Sequence, residues 1–186
     1  MAEDVLKKII KKKSEKIINL KKTISLDSLN ELIDTNKTFI DFKEKIKNNI
    51  KEDKYSVIAE IKKASPSAGI IIKDYDPIKI ANIYNNNNAT CLSVLTEEDF
   101  FLGKLLHISK IKQKVNLPIL CKDFFVDKFQ VSLAKSYGAD AILIILAGVD
   151  EGLAFLISAI IENLLSFILF SIFSLKLINV LFVLIS

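Results

Sequence analysis

The chain contains no arginine and no tryptophan, and only one histidine, two cysteines, three prolines and five glycines among its 186 residues. Every one of its 26 basic residues is therefore lysine, set against 22 acids for a net charge of +4. No lysine cluster is interleaved with aromatics as a base-stacking surface requires, so the excess reads as solvated surface and no nucleic-acid partner is expected. Cys91 and Cys121 sit inside separate apolar runs. They read as buried thiols in a reducing compartment, not as a disulfide or a metal pair. His107 falls on a stretch that reads as an outer helix, which assigns it to packing or surface rather than to catalysis. The N-terminus is charged and carries no secretory apolar core, so a cytoplasmic chain is expected.

Three regions follow along the chain. Residues 1–54 read as charged helices: Val5, Ile9, Ile10, Ile17 and Leu20 form an imperfect apolar stripe among lysines. A second segment starts near Ser25 or Asp27 and carries Leu29, Leu32, Ile33, Phe39, Phe42 and Ile46. Residues 55–150 alternate. Strands are predicted over Tyr55–Ile61, Ala89–Leu95, Leu117–Cys121 and Ala139–Leu146, and helices over Pro77–Tyr84, Lys104–Lys114 and Asp127–Tyr137. Strands recurring at roughly 30 residues with amphipathic helices between them are βαβ units and predict a parallel sheet. Asn85–Asn88 reads as a polar loop, where asparagine tolerates positive φ. Residues 151–186 break the pattern, with Glu151, Glu162 and Lys176 the only charges after Asp150 in an otherwise Leu-, Ile-, Phe- and Ser-rich tail.

Two strand ends carry the chemistry. Val57–Gly69 and Leu120–Phe124 are apolar runs that each end in a lysine where a strand should give way to a loop, as an active site at one end of a parallel barrel requires. Residues two apart in a strand share a face, so Glu60 and Lys62 point together. Lys122 arrives at the same rim two βα units later. A partly desolvated lysine titrates lower than a wet one, which suits a general acid near neutral pH. The plainer alternative is a rim salt bridge between Glu60 and Lys62, with Lys122 paired to Asp123; such pairs contribute about 0–1 kcal/mol. Ser65-Pro66-Ser67 with Gly69 forms a loop able to wrap an anion or simply to turn. Thr96–Gly103 leaves its strand with Phe100 and Phe101, either to wall a ring-binding pocket or to pack helix on barrel.

Read together, Ala59-Glu60-Ile61-Lys62-x-Ala64-Ser65-Pro66-Ser67-x-Gly69, Ser93-Val94-Leu95-Thr96 with Phe100-Phe101-x-Gly103, Pro118-Ile119-Leu120-Cys121-Lys122-Asp123-Phe124, Gln130, and Gly138-Ala139-Asp140-Ala141-Ile142-Leu143 closely resemble the indole-3-glycerol-phosphate synthase family. The match runs over residues 3–150 and fades near 163. The resemblance implies an α/β fold of the (β/α)8 TIM-barrel family, here an incomplete barrel with an N-terminal helical extension. It divides the chain into a helical extension over 1–54, the first half of a barrel over 55–163 and a divergent apolar tail over 164–186.

The resemblance also implies a carboxy-lyase of tryptophan biosynthesis. Its small, phosphorylated substrate, 1-(2-carboxyphenylamino)-1-deoxyribulose 5-phosphate, cyclises with loss of carbon dioxide and water, and no metal or organic cofactor is implied. Carried over by motif, Lys122 would be the general acid at the ribulose carbonyl, and Lys62 would hold the anthranilate carboxylate or donate protons beside it. Glu60 would orient Lys62. Ser65 would bind the carboxylate end, and Phe101 or Phe124 would border the aromatic ring.

The tail departs from that pattern. Where the family places a second catalytic glutamate this chain reads Ser166-Phe167-Ile168-Leu169-Phe170-Ser171. No arginine supplies the later Asn-x-Arg motif, and the glycine-rich phosphate loops are missing. A complete barrel runs to about 250 residues, so a gene truncated or frameshifted after residue 163 is expected. Two other readings stay open: a non-catalytic half-barrel acting only through a partner, with self-association at open barrel edges, and a tail-anchored membrane protein. Leu164–Ser186 is long enough to span a bilayer, and its central Lys176 costs about 2.5–3.5 kcal/mol against roughly 0.3–0.6 gained per large apolar residue. Nothing in the preceding region prepares for a membrane, so no membrane partner is expected.

Overall fold

The computed structural model describes residues 2–35 and 39–145, together with two short strands in the C-terminal tail. Three helices come first: α1 (Ala2–Leu20), α2 (Leu26–Thr35) and α3 (Phe42–Lys51). The single segment expected from Ser25 through Ile46 is thus two helices, because each has its own start signal. The Ser25 hydroxyl accepts the Ser28 N–H at 3.1 Å, and the Asp41 carboxylate accepts the Glu44 N–H at 2.8 Å. Such caps satisfy donors that a helix start leaves orphaned.

The alternating region folds as β1 (Ile58–Ile61), β2 (Ala64–Ser65), β3 (Gly69–Ile70), α4 (Pro77–Asn86), β4 (Cys91–Leu95), α5 (Leu106–Lys112), β5 (Ile119–Lys122), α6 (Phe129–Ser136) and β6 (Ala141–Ile145). β1, β4, β5 and β6 are neighbours in a parallel sheet. Most elements are shorter than the sequence pattern suggests. Tyr55 is 97% exposed, so β1 begins only at Ile58. The Asn85–Asn88 run is half helix: Asn85 and Asn86 extend α4, and Asn88 takes the positive φ of 60° that ends it. Pro77 opens α4 behind Asp76, whose carboxylate accepts the N–H groups of Ile78 and Lys79.

Alternation sorts the sheet into two faces. Ala59, Ile61, Leu92, Val94, Ile119, Cys121, Ile142 and Ile144 pack outward against α4, α5 and α6 in the main core. On the inner face Cys91, Leu120, Ala141 and Leu143 meet Phe42 of α3, which plugs the end where the strands begin. α1 and α2 lie outside α6, through Ile17, Leu29, Phe129 and Leu133. Both cysteines are buried and unpaired, and burial pushes each thiol up to about 12.

The tail strands β7 (Phe170–Ser171) and β8 (Val180–Leu184) add to the sheet antiparallel, β8 beside β6 and β7 beside β8. Among the described residues the sheet is open, with β1 at one edge and β7 at the other. A strand at Val180–Leu184 occupies part of the segment long enough to span a bilayer, and no described helix is long and apolar enough to cross a membrane. Residues 166–169, where the family's second glutamate is expected, lie outside the described residues.

Candidate active site

The inner face that is apolar at the strand starts turns polar at the strand ends. β1 delivers Glu60 and, one residue past its end, Lys62; β5 ends in Lys122. The register pairs Glu60 with Ser93, and Leu95 with Lys122, so β4 lies between the two charged strand ends. Lys62 Nζ lies 2.5 Å from Glu60 Oε1, and Lys122 Nζ donates to Glu60 Oε2. One carboxylate is thus divided between two ammonium groups, each with about a third of its side chain open to solvent. The Tyr84 hydroxyl donates to the Glu60 carbonyl at 3.1 Å, fixing β1 from α4.

Glu60 and Lys62 pair as the plainer sequence reading expects, but Lys122 does not pair with Asp123. Neighbours along a strand face opposite ways, so Asp123 points outward and meets Lys13 of α1 at 2.7 Å, leaving Lys122 to Glu60.

Burial works against the charge of Glu60, but hydrogen bonds and charge from Lys122 and Lys62 outweigh it and hold its carboxyl below the ordinary 4.5. A carboxylate whose pKa is depressed on folding adds stability that is complete above its unfolded pKa and lost as pH falls through its folded one. Thermal melts of wild type and Glu60→Gln should therefore differ most above about pH 5, and the gap should shrink as acidification passes the ordinary 4.5 and then the lower folded-state value. A gap that stays constant on acidification would mean that Glu60 is not ion-paired in the folded chain.

Two aromatic residues follow the ends of β4 and β5. Phe101 and Phe124 bring their rings to 6.2 Å between centroids, tilted by 38°. The loop bearing Phe101 is built around Glu97, 2% exposed, whose carboxylate accepts the N–H groups of Asp99, Phe100 and Phe101 at 3.0, 2.7 and 3.1 Å. Leu102 then takes a φ of 54°, and a Cβ on Gly103 would lie 2.2 Å from the Leu95 carbonyl oxygen, so only glycine fits there. Phe124 is held by Gln130, which donates to the Phe124 carbonyl at 2.9 Å and accepts the Val126 N–H at 2.7 Å.

Ser65 is not drawn into this group. It lies in the β2–β3 hairpin, where its hydroxyl accepts the Ala68 N–H at 3.1 Å and Gly69 supplies the positive φ of 64°. His107 lies on α5 and packs against the Tyr75 ring at 5.6 Å, and burial and nearby lysines lower its pKa. Among the described residues no cluster of histidine, cysteine and acidic side chains is arranged to hold a metal ion.

Glu97 and Lys13 were not legible as site neighbours in the sequence. Glu97 is one of three successive acids, and nothing local says which of them turns inward. Lys13 is one of many lysines on α1, though it interrupts an apolar stripe.

The model of the family described as indole-3-glycerol phosphate synthase matches residues 6–163. The protein of that name from Prochlorococcus marinus subsp. pastoris is 40% identical over 163 residues, which is 88% of this chain and 55% of that protein. Its counterpart from Clostridium acetobutylicum is 42% identical over 149 residues, 80% of this chain and 56% of that protein. The one from Aliarcobacter butzleri is 43% identical over 148 residues, 79% and 56% respectively. The chain spans about half the length of the curated relatives it matches.

Proposed function

Since the chain belongs to the indole-3-glycerol phosphate synthase family, we propose that its strand-end residues serve that family's reaction, the decarboxylating closure of 1-(2-carboxyphenylamino)-1-deoxyribulose 5-phosphate to indole-3-glycerol phosphate. The observation that carries this reading is the Glu60 carboxylate held between Lys62 and Lys122. When the ring carbon attacks the ribulose carbonyl, negative charge grows on that oxygen, and an ammonium placed there stabilises it and supplies the proton. Lys122 takes this role and, once reprotonated from solvent, protonates the departing hydroxyl while the adjacent ring carbon gives up its proton to water. Lys62 holds the substrate carboxylate until carbon dioxide leaves, and Glu60 fixes both lysines until substrate displaces one of them. Phe101 and Phe124 border the aromatic ring, and Ser65 contributes a hydroxyl at the carboxylate end. The division into a helical extension over 1–54, a half-barrel over 55–163 and an apolar tail over 164–186 belongs to the same proposal.

The test is turnover. Purified protein is mixed with the substrate, and the indole fluorescence of the product is followed. Product at a rate proportional to protein supports the reading; none from folded, soluble protein retires it for this chain.

One observation favours a second reading. β1 pairs only with β4 among the described strands, and Val57 and Ile58 at its edge are 52% and 40% exposed. An open strand edge is a template for pairing, so a half-barrel that acts only after joining a second copy or another chain fits the same structure. Light scattering tests pairing with a second copy, which requires a concentration-dependent increase in mass.

A further inference from the structure

The stripe that buries α1 has a lysine in its middle. Ile9, Lys13 and Ile17 recur at four-residue spacing, and they are 3%, 7% and 4% exposed. By contrast, the neighbouring Lys12 and Lys16 side chains are 57% and 37% exposed and meet acids at the surface. A hydrophobe would serve the stripe at least as well, since buried ion pairs are often no more stabilising than well-packed apolar residues. The ammonium at position 13 is instead matched to one atom, Asp123 Oδ1, at 2.7 Å.

We infer that Lys13 and Asp123 are positioning residues that hold Lys122 and Phe124 at the rim from the opposite face of the sheet. The inference rests on the role proposed above for Lys122. Asp123 stands between those two residues in the chain, and each of its oxygens is committed. Oδ1 accepts Lys13 and the Phe124 N–H at 2.7 Å, and Oδ2 accepts the Thr96 hydroxyl at 2.7 Å. Thr96 closes the ring, because its own N–H donates to the Lys122 carbonyl at 3.1 Å. The last residue of β5 is thus clamped to the end of β4 by main chain on one side and by the Asp123 carboxylate on the other.

Only a neutralised carboxylate can stay in this place. Asp123 is 6% exposed, and Lys13 is its one ion-pair partner among the described residues. Without that ammonium the buried carboxylate has no counter-charge and is drawn toward water, and a cavity of about 60 Å³ lined by Lys13, Thr96, Asp123 and Gln130 gives it room. That movement releases the Thr96 hydroxyl or the Phe124 N–H, and the β5 end loses its fixed geometry. Displacement of about an ångström at a catalytic group is enough to cost a factor of about 100 in rate.

The test reads Lys122 directly and needs no turnover. Wild type, Lys13→Met, Lys13→Arg and Thr96→Val are exposed briefly to limiting acetic anhydride, and acetylation at each lysine is measured by peptide mass spectrometry. Lys112, buried against Asp140 away from the rim, reports global unfolding in the same digest. Lys122 should react about tenfold faster in Lys13→Met and Thr96→Val, the factor expected when one charge-assisted hydrogen bond is lost, with Lys112 still protected. Lys13→Arg, which keeps a cation in the stripe, should return the rate toward wild type.

Wild-type reactivity of Lys122 in Lys13→Met, with Lys112 protected, would overturn the inference. Should Lys13→Met expose Lys112, Thr96→Val carries the test with the same two outcomes. A changed Lys122 rate in a protein that makes no indole-3-glycerol phosphate would retire the synthase reading and leave the clamp standing. Where wild type does turn over, Lys13→Met should lower kcat about tenfold with KM changed less than about twofold, as for a group acting in the transition state.

Discussion

Under the proposed function, Lys122→Ala is expected to reduce the rate of indole-3-glycerol phosphate formation by about 10² to 10⁴, the range that a positioned general acid contributes. The size of the effect follows from the geometry. Lys122 ends β5 on the inner face and reaches the same carboxylate as Lys62. Alanine removes the proton donor and leaves the Glu60 charge opposed by Lys62 alone. Lys62→Ala should be milder in kcat and stronger in KM, because its proposed part is to hold a carboxylate present in the ground state as well. The stability of the two variants should stay close to wild type, since both side chains are about a third exposed. Initial rates by indole fluorescence, with far-UV circular dichroism on the same samples, decide the matter. A Lys122→Ala protein within about threefold of wild type in kcat would remove this residue from the chemistry.

The second large effect lies at the other end of the strands and concerns folding. Asp140 is 1% exposed, and its carboxylate serves three partners from three parts of the chain. Oδ1 accepts the Ile40 N–H at 2.9 Å, and Oδ2 accepts the Ile119 N–H at 2.6 Å and meets Lys112 Nζ at 2.5 Å. It joins the linker between α2 and α3, the start of β5 and the end of α5. Asp140→Ala breaks the buried Lys112–Asp140 pair, a change that typically costs about 3–5 kcal/mol. It also leaves the buried Ile119 N–H without an acceptor, at about 1–3 kcal/mol, and the part-buried Ile40 N–H at less. Against a total stability of about 5–15 kcal/mol this is most of what a domain has. In urea, with slopes of about 1–3 kcal/mol per molar, the midpoint should fall by more than about 1 M or the transition should vanish. A midpoint within about 0.3 M of wild type would show that this carboxylate is not the tie described here.

Much of this arrangement was legible in the chain itself. The short, nearly continuous apolar runs and the amphipathic helices between them announced a parallel α/β sheet, because burial on both faces leaves a strand apolar along its length. The lysines ending two of those runs marked the rim, since an ammonium at the end of a buried strand needs a reason. Ser25 marks a helix start in the sequence; Asp41 and Asp76 carry the same side-chain signal, and the segment that reads as continuous across Asp41 is two helices. Gly69 and Asn88 sit where their tolerance of positive φ is used. Such signals act over a few residues, so one sequence carries them whole.

What the tertiary structure alone decided was partnership. Lys122 and Asp123 are adjacent and oppositely charged, yet the pleat sends them to opposite faces, and their partners Glu60 and Lys13 come from elements remote in sequence. Among the lysines of α1, only packing distinguishes Lys13 from Lys12 and Lys16, because burial depends on which face the sheet meets. Phe101 finds Phe124 only because Glu97 folds its loop back on three N–H groups. Residue type and spacing therefore determined the elements and the chemistry available to them. The pairing of charges across the sheet, which depends on side-chain direction and on desolvation at contacts far apart in the chain, belonged to the fold.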